Sequence, residues 1–351
     1  MKKIGILTFH NAINYGAVLQ VYSLQKTIKD MGCYSSVIDY RCPKIKEADK
    51  YIKTDSLKSF IKSIYEIYTL YEKKKKFNDF LQENVEISRE YKKEELCKVE
   101  TIFDLFIVGS DQVWNPYITD YDDTYLLSFV NDNKKRNSYA ASFGLSQLPS
   151  NWCDESMKEL SRFNVLSTRE STGKEIITKK IKKEVSVDLD PVFLRTANEW
   201  RNLVKNKKEK YIFVYMPWEE TLTFAKKLSD ETGLPIIQCG WKSILNPRKN
   251  VGEIESSLGP DEFLSLLHNS EYVVTGSFHA TAFSIIFHKK FYVEIPSKVG
   301  SRIQNLLEMF SLQDRRIGLK CDADINWDMV DGLLNKYRLM SKERLKNIIE
   351  K

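Results

Sequence analysis

Residues 273–287 read VVTGSFHATAFSIIF and predict a strand, a turn and a buried helix in immediate succession. The β-branched start of this stretch is typical of a strand, and Gly276 with Ser277 predicts a turn in which Ser277 caps the helix. Residues 280–287 are apolar nearly all round, so the helix should lie inside its domain. The carboxyl end of a parallel strand is where α/β proteins bind ligands, so this turn is a candidate site.

His279 falls in the first turn of the predicted helix. Backbone N–H groups and partial positive charge at that end favour a phosphate or a carboxylate, so a histidine there is suited to act as a general acid on a bound anion. The alternative is a structural role, in which the ring hydrogen-bonds a nearby backbone group. His10, His268 and His288 lie near helix ends or before a loop and are expected to be structural or surface residues.

The order of strand, polar or Gly-bearing loop and apolar-periodic helix recurs along the chain and predicts parallel βαβ units. Predicted strands cover residues 3–8, 35–39, 103–108, 136–142, 165–168, 185–189, 211–215, 235–239, 272–275 and 291–295. Predicted helices cover residues 17–31, 56–84, 219–231, 261–268, 279–288, 301–311 and 327 to the end. The fold class is therefore α/β, with two Rossmann-like domains facing across a cleft.

The length of 351 residues fits two domains. An N-terminal Rossmann-like domain is predicted over residues 1–195, with a helical insertion at about 45–100. A C-terminal Rossmann-like domain is predicted over residues 196–325, and helices over 326–351 are expected to pack back on the first domain. The apolar fraction of 42% leaves little room for large disordered segments.

The sequence shows neither a secretory h-region nor an apolar run of about 18 residues, so a cytoplasmic location is predicted. The formal net charge of +6 suggests an anionic partner, but residues 46–100, which contain four consecutive lysines at 73–76, hold thirteen Lys or Arg and twelve Asp or Glu. This balance favours a solvated helix face over a groove for nucleic acid, and no nucleic-acid partner is expected.

Basic residues for a phosphate-bearing donor are predicted after two strands. Arg169 directly follows the strand at 165–168, while Lys298 and Arg302 follow the strand at 291–295. All three could converge on the cleft, although a lone cation of this kind is more often a surface or ion-paired residue.

Two loops at predicted strand ends could bind a sugar. The first contains Asn14, Tyr15 and Gly16, and its alternative interpretation is an ordinary Asn/Gly turn. The second contains Asp111 and Trp114, where the indole could stack on a sugar ring or could instead be buried under the loop.

Several familiar motifs are missing from the sequence. The first loop is not GxGxxG, which argues against dinucleotide binding, and no P-loop, GxSxG or HExxH is found in a convincing setting. The six cysteines show no CxxC spacing. We therefore expect neither a metal ion nor a resident cofactor.

The chain resembles the polysaccharide pyruvyl transferase family over nearly its whole length. The segments that carry the resemblance are GILTFHNAINYGAVLQVYSLQ (5–25), FDLFIVGSDQVWNP (103–116), SYAASFG (138–144), STREST (167–172), VDLDPVFL (187–194), GPDEFLSLL (259–267) and VVTGSFHATAFSIIF (273–287).

The resemblance implies a glycosyltransferase-B-like fold and a transfer of an enolpyruvyl group from phosphoenolpyruvate, a co-substrate, to a sugar. The acceptor would belong to a surface polysaccharide or a lipid-linked precursor, with a peripheral contact at the inner membrane face as an option, and the product would be a pyruvate ketal. His279 matches the family's catalytic histidine; Arg169 and either Lys298 or Arg302 match its donor-binding residues. Ser277 is a further expected donor-binding residue. The C-terminal domain would carry the donor site, and the N-terminal domain would be the acceptor side. The alternatives are a nucleotide-sugar glycosyltransferase of the same fold and a non-catalytic carbohydrate-binding relative.

Overall fold

Every strand pair in the part of the chain that the structure describes is parallel. The structure is a computed structural model that describes residues 1–48, 57–205, 209–240, 250–295, 300–319 and 324–351. Its strands are β1 (Lys3–Leu7), β2 (Tyr34–Tyr40), β3 (Ile87–Tyr91), β4 (Leu105–Val108), β5 (Arg136–Ser138), β6 (Leu166–Thr168), β7 (Val185–Val187), β8 (Ile212–Tyr215), β9 (Ile236–Cys239), β10 (Glu253–Glu255), β11 (Tyr272–Thr275) and β12 (Lys290–Val293).

The α-helices alternate with these strands. They are α1 (Tyr15–Asp30), α2 (Pro43–Ala48), α3 (Leu57–Asn84), α4 (Pro116–Thr119), α5 (Ser150–Ser161), α6 (Ser171–Thr178), α7 (Ala197–Arg201), α8 (Glu219–Thr232), α9 (Pro260–Asn269), α10 (Phe278–Ile286), α11 (Ser301–Met309) and α12 (Trp327–Glu350). None of the helices within the described ranges combines the length and the apolar character that a membrane span requires.

The first compact unit comprises Met1–Tyr51, Leu81–Arg195 and Asn335–Lys351. Its five-stranded sheet has the order β3-β2-β1-β4-β5, and a bridge between Asn137 and Val165 leads on to the β6-β7 pair. The central strands β1 and β4 are buried, as expected for a parallel sheet that is covered on both faces. The predicted strand at 136–142 is shorter than expected, because Ala140 adopts a left-handed backbone with φ 49°.

The end of α12 belongs to this first unit. The Nε of Arg338 donates to the carbonyl of Phe193 at 2.6 Å, and the hydroxyl of Ser341 accepts from the backbone of Leu189 at 3.0 Å. The guanidinium of Arg344 lies 3.1 Å from the carboxylate of Asp188. The chain is therefore tied to residues 188–193 from Asn335 onward, whereas the start of α12 belongs to the second unit.

The second compact unit comprises Ile52–Phe80 and Thr196–Leu334. Its sheet has the order β10-β9-β8-β11-β12, and Thr275 of β11 is aligned with Tyr215 of β8 and with Val293 of β12. Helix α8 is capped at its C-terminal end by Gly233, whose left-handed φ of 70° is accessible to glycine without a steric cost. The strands and helices predicted for this half of the chain are observed in the predicted order, and the structure adds α7 and β10, which were not predicted.

Most of helix α3 groups with the second unit, whereas the sequence predicts an insertion that stays in the first domain. Lys76 forms an ion pair with Glu262 at 2.8 Å, and Lys73 is only 7% exposed. Lys74 and Lys75 are exposed and Lys76 is half-buried, so the prediction of a solvated helix face is wrong for Lys73. The carboxylate of Glu262 also accepts a hydrogen bond from the backbone of Gly259, so Glu262 links α3 to the start of α9.

Candidate functional site

The first turn of α10 is the candidate site in the second unit. All nine residues of this helix are buried, and Trp200 packs edge-on against Phe283 at 4.9 Å between ring centroids. The helix is held inside its domain by apolar contacts, as its largely apolar sequence predicts. Its N-terminus directly follows β11, so it lies at the carboxyl edge of the sheet.

Thr275 and Ser277 shape the turn between β11 and α10. The hydroxyl of Thr275 donates to the carbonyl of Tyr215 at 2.6 Å and accepts from the backbone of Ser277 at 3.0 Å. The hydroxyl of Ser277 accepts from the backbone of Ala280 at 3.4 Å, so Ser277 is the N-cap that the sequence predicts. Whether Ser277 also contacts a donor stays a prediction.

His279 is the second residue of α10 and is 8% exposed. Its imidazole meets the ring of Phe278 edge-on, with 5.2 Å between ring centroids. The histidine thus lies in the first turn, where the backbone dipoles favour a negatively charged ligand. The catalytic role of His279 stays a prediction.

Met216 and Trp218 border the same turn, and neither was predicted from the sequence as a site residue. They follow β8, which is the neighbour of β11, and they are 49% and 48% exposed. A Cβ added to Gly276 would lie 2.6 Å from Cδ1 of Trp218 and 2.9 Å from the carbonyl oxygen of Met216. The signal that could have found them is an aromatic residue in the loop at the carboxyl end of a predicted strand.

Lys298 and Arg302 are the two other donor-binding residues predicted in this half of the chain, and the structure describes Arg302 alone. Lys298 lies outside the described residues. Arg302 is half-buried in the first turn of α11. Glu294, which directly follows β12, accepts from the backbone and from the hydroxyl of Thr221 at 2.6 Å each and thereby fixes the start of α8. The donor-binding roles of Lys298 and Arg302 stay predictions.

Arg169 is the centre of a buried charge cluster in the first unit. Its guanidinium lies 2.7 Å from Asp190, 3.7 Å from Asp111 and 3.9 Å from Glu170, and its side chain is 2% exposed. The hydroxyl of Ser110 donates to Asp190 at 2.8 Å. Arg169, Ser110 and Asp190 each follow a strand, so the carboxyl ends of β4, β6 and β7 assemble this cluster.

The charges of the cluster explain why the arginine remains ionised. Burial lowers the pKa of Arg169, but the carboxylates of Asp190, Asp111 and Glu170 outweigh it, so the pKa lies above the ordinary value. A phosphate would therefore have to compete with three carboxylates for this guanidinium. His279 belongs to the second unit and Arg169 to the first. Their convergence on one cleft stays a prediction, as does the donor contact of Arg169.

Asp111 adopts a left-handed backbone with φ 78°, which is uncommon for a residue other than glycine. Its carboxylate accepts from the backbone of Gln112 at 2.9 Å, and its carbonyl accepts from the backbone of Ser142 at 3.0 Å. Such conformations cost about 1–3 kcal/mol and concentrate at functional sites. An acceptor contact of Asp111 is compatible with this placement and stays a prediction.

Trp114 lies in the hydrophobic core of the first unit. It is 1% exposed, its indole donates to the carbonyl of Tyr125 at 3.0 Å, and it packs against Phe143 and Phe163. A ring enclosed in this way has no face left for a sugar. The alternative that the sequence left open, an indole buried under the loop, therefore describes Trp114 in this structure.

The first loop has a structural task that is visible in its hydrogen bonds. The side chain of Asn14 accepts from the backbone of Gly16 at 2.9 Å and of Ala17 at 3.3 Å, and so it is the N-cap of α1. Asn14 is exposed, whereas Tyr15 and Gly16 are buried. Sugar binding by these three residues stays a prediction, with Asn14 the most accessible of them.

His10 and Asp39 form a buried pair beside this loop, which the sequence did not reveal. The Nε2 of His10 lies 2.9 Å from Asp39, and Arg41 donates to the same carboxylate at 2.9 and 3.0 Å. Burial alone would raise the pKa of Asp39, but the hydrogen bonds from His10 and Arg41 hold it well below its usual range. The signal was weak because the pair joins residues 29 positions apart.

No group of three or more His, Cys, Asp or Glu side chains is placed to hold a metal ion within the described parts of the chain.

Comparisons with known proteins bear on both the fold and the family. Among solved structures, the chain is similar to UDP-GlcNAc 2-epimerase from Methanocaldococcus jannaschii in complex with UDP-GlcNAc and UDP, with 14% identity, a TM-score of 0.51, and 100% of this chain and 99% of that chain covered. It is also similar to an α-glucosyltransferase in complex with UDP and a 13-mer DNA containing an HMU base, with 10% identity, a TM-score of 0.50 and 100% of each chain covered. No curated protein matches the chain.

These likenesses and the parallel sheets confirm the predicted α/β, glycosyltransferase-B-like fold. The family described as Polysaccharide pyruvyl transferase has a model that matches residues 14–294, which is most of the chain and includes the Arg169 cluster and α10. The resemblance predicted from the sequence segments is thereby confirmed, and the chain belongs to the polysaccharide pyruvyl transferase family.

Proposed function

We propose that this protein transfers an enolpyruvyl group from phosphoenolpyruvate to a sugar of a surface polysaccharide or of its lipid-linked precursor, with His279 as the general acid. The observation that carries the proposal is the placement of His279 in the first turn of a fully buried helix at the carboxyl edge of a parallel sheet. The family to which the chain belongs supports the reaction type.

The start of α10 would bind the donor through its electropositive end. Phosphoenolpyruvate carries a phosphate and a carboxylate, and both are stabilised by the N-terminal dipole of a helix. The negative charge of the donor in turn favours a proton on the imidazole of His279. A protonated imidazole in contact with the donor's methylene carbon is then a competent proton donor.

The reaction follows from that protonation. His279 gives its proton to the methylene carbon, which becomes a methyl group, and C2 takes on oxocarbenium character. One sugar hydroxyl attacks C2 and gives its proton to the imidazole of His279, which is thereby restored. A second hydroxyl then displaces phosphate, which leaves as hydrogen phosphate with the proton of that hydroxyl, and C2 becomes the ketal carbon. Basic groups near the leaving phosphate would contribute a few kcal/mol through electrostatic stabilisation, which is the role that the resemblance implies for Arg169 and for either Lys298 or Arg302.

The test is phosphate release coupled to a change in acceptor mass. Purified protein is incubated with phosphoenolpyruvate and candidate free or lipid-linked saccharides, and mass spectrometry should show the gain of one pyruvate ketal per acceptor together with an equal amount of phosphate. His279→Gln should reduce the rate by about 10²–10⁴-fold. His288→Gln is the matched control, because His288 is a surface histidine of the same unit that lies 2.8 Å from Asp331.

Donor choice separates this proposal from a nucleotide-sugar glycosyltransferase. Thermal stabilisation by phosphoenolpyruvate but not by UDP-GlcNAc supports the pyruvyl transfer, and the reverse result supports the alternative. Sugar binding without phosphate release from any donor would instead indicate a non-catalytic relative. Near-normal phosphate release by His279→Gln would remove His279 from the mechanism.

A further inference from the structure

Trp218 exposes its ring directly beside the turn that begins α10. Its side chain approaches the backbone of Gly276 so closely that an added Cβ would lie 2.6 Å from Cδ1 and 2.9 Å from Nε1. The five-membered edge of the indole therefore rests on the turn. Because Trp218 is still 48% exposed, much of the remaining ring surface faces solvent.

The other described tryptophans do not share this placement. Trp114, Trp152 and Trp200 are at most 3% exposed and belong to hydrophobic packing. Trp327 is half-buried and stacks on His288 at 4.5 Å between ring centroids with an interplanar angle of 14°. Trp218 is thus the most exposed tryptophan in the part of the chain that the structure describes.

The backbone holds Trp218 in position from both sides. Before it, β8 is paired with β11, and the backbone of Gly276 donates to the carbonyl of Tyr215 at 3.4 Å. After it, the first turn of α8 is fixed by the two hydrogen bonds from Thr221 to Glu294. The ring is therefore mounted on ordered elements, which reduces the entropy lost when a ligand binds.

We propose that Trp218 positions the acceptor saccharide by stacking its indole on the apolar face of a pyranose ring. The inference rests on the proposed function, in which the attacking hydroxyl must come within about 3–3.5 Å of the donor's C2. A donor held at the start of α10 brings the acceptor ring next to the Gly276 turn, which Trp218 touches. The C–H groups of a sugar face match the negative face of an aromatic ring.

The test measures sugar binding with and without the donor. The probes are the methyl glycosides of glucose, galactose, mannose and their N-acetylated amino sugars, observed by saturation-transfer NMR in the presence of phosphoenolpyruvate. Trp218→Ala should weaken the binding of the glycosides that the wild-type protein recognises by about tenfold or more, because losing an aromatic stack of about 1.4 kcal/mol changes Kd by a factor of ten. Trp218→Phe keeps an aromatic face and should retain part of the binding. With a proven acceptor, the KM for the acceptor should rise by a similar factor while the Kd for phosphoenolpyruvate stays unchanged.

The control variant is Trp327→Ala, which removes the half-buried tryptophan of the same unit and should leave glycoside binding intact. Unchanged binding by Trp218→Ala, an equal loss in both variants, or no binding of any of the six glycosides to the wild-type protein would overturn the proposal. A different result would show that the proposed donor is wrong. In that case the protein would bind a glycoside in a Trp218-dependent manner but would not be stabilised by phosphoenolpyruvate. That result would retain Trp218 as the sugar platform and reject the transfer.

Discussion

Removing the charge of Arg169 should destabilise the first unit far more than an ordinary arginine substitution does. In Arg169→Met, Asp190, Asp111 and Glu170 remain buried, at 1%, 6% and 3% exposure, without the cation that lies among them. Leaving buried charge uncompensated costs about 3–5 kcal/mol. For a unit of roughly 150–250 residues this corresponds to a fall in Tm of about 6–20 °C.

Urea denaturation followed by circular dichroism measures this effect. The matched control is Arg162→Met, because Arg162 shares the carboxylate of Glu159 with Arg136 and its loss leaves no carboxylate without a cation. We expect the control to change the free energy of unfolding by less than about 1 kcal/mol. The double variant Arg169→Met with Asp190→Asn should recover part of the loss, since the closest unpaired charge is removed and the amide oxygen can still cap Val192.

An unchanged denaturation midpoint in Arg169→Met would refute the reasoning that this arginine holds the carboxylates together. Phosphoenolpyruvate affinity then decides what the residue does. A residue that only binds the donor would lower that affinity and leave stability unaffected. A residue that organises the cluster would change stability first.

Two further predictions concern the second unit. Gly276→Ala should lower the free energy of unfolding by about 1–3 kcal/mol, because the added Cβ would lie under 3 Å from Trp218 and from a backbone carbonyl. The control is Gly332→Ala in α12, where no atom lies within 4 Å of the added Cβ, and it should raise the free energy of unfolding by about 0.5–1 kcal/mol. Equal effects of the two substitutions in denaturation curves would contradict this geometry. Burial lowers the pKa of Lys73 from its ordinary value of 10.5, so the unfolded chain binds more protons below that value and the free energy of unfolding should rise with pH. Denaturation from pH 7 to 10 should show this slope reduced in Lys73→Met and unchanged in Lys74→Met.

Local sequence pattern is sufficient to predict most of the α/β framework. Strand β11 spans the predicted residues 272–275, and Ser277 caps α10 as expected, because a β-branched run, a Gly-Ser turn and an apolar helix each express a local preference. The pattern fails at β3 and β10. Their sequences, ISREY and EIE, are polar, and each strand lies at one edge of its sheet, where it has fewer apolar contacts to make.

The site was harder to predict, because burial and pairing depend on residues distant in sequence. Trp114 is enclosed by Tyr125 and Phe163, and Lys73 is buried although Lys74 and Lys75, which follow it, are exposed. Trp218 was missed because its local sequence gives no signal. A single aromatic residue between a strand and a helix has no periodicity, and only its contact with Gly276 distinguishes it.

The two candidate sites differ in charge, and that difference bears on which substrate each would bind. The Arg169 cluster places one guanidinium among three carboxylates, so a phosphate dianion entering it would meet repulsion as well as attraction. The same carboxylate oxygens are good acceptors for sugar hydroxyls. The start of α10 instead combines a helix dipole with the N-cap Ser277 and His279. Electrostatics therefore favours the donor at α10 over the Arg169 cluster. The substitution Arg169→Lys keeps the charge and removes the planar fork, so its effect on phosphoenolpyruvate affinity is the decisive measurement of whether the arginine touches the donor.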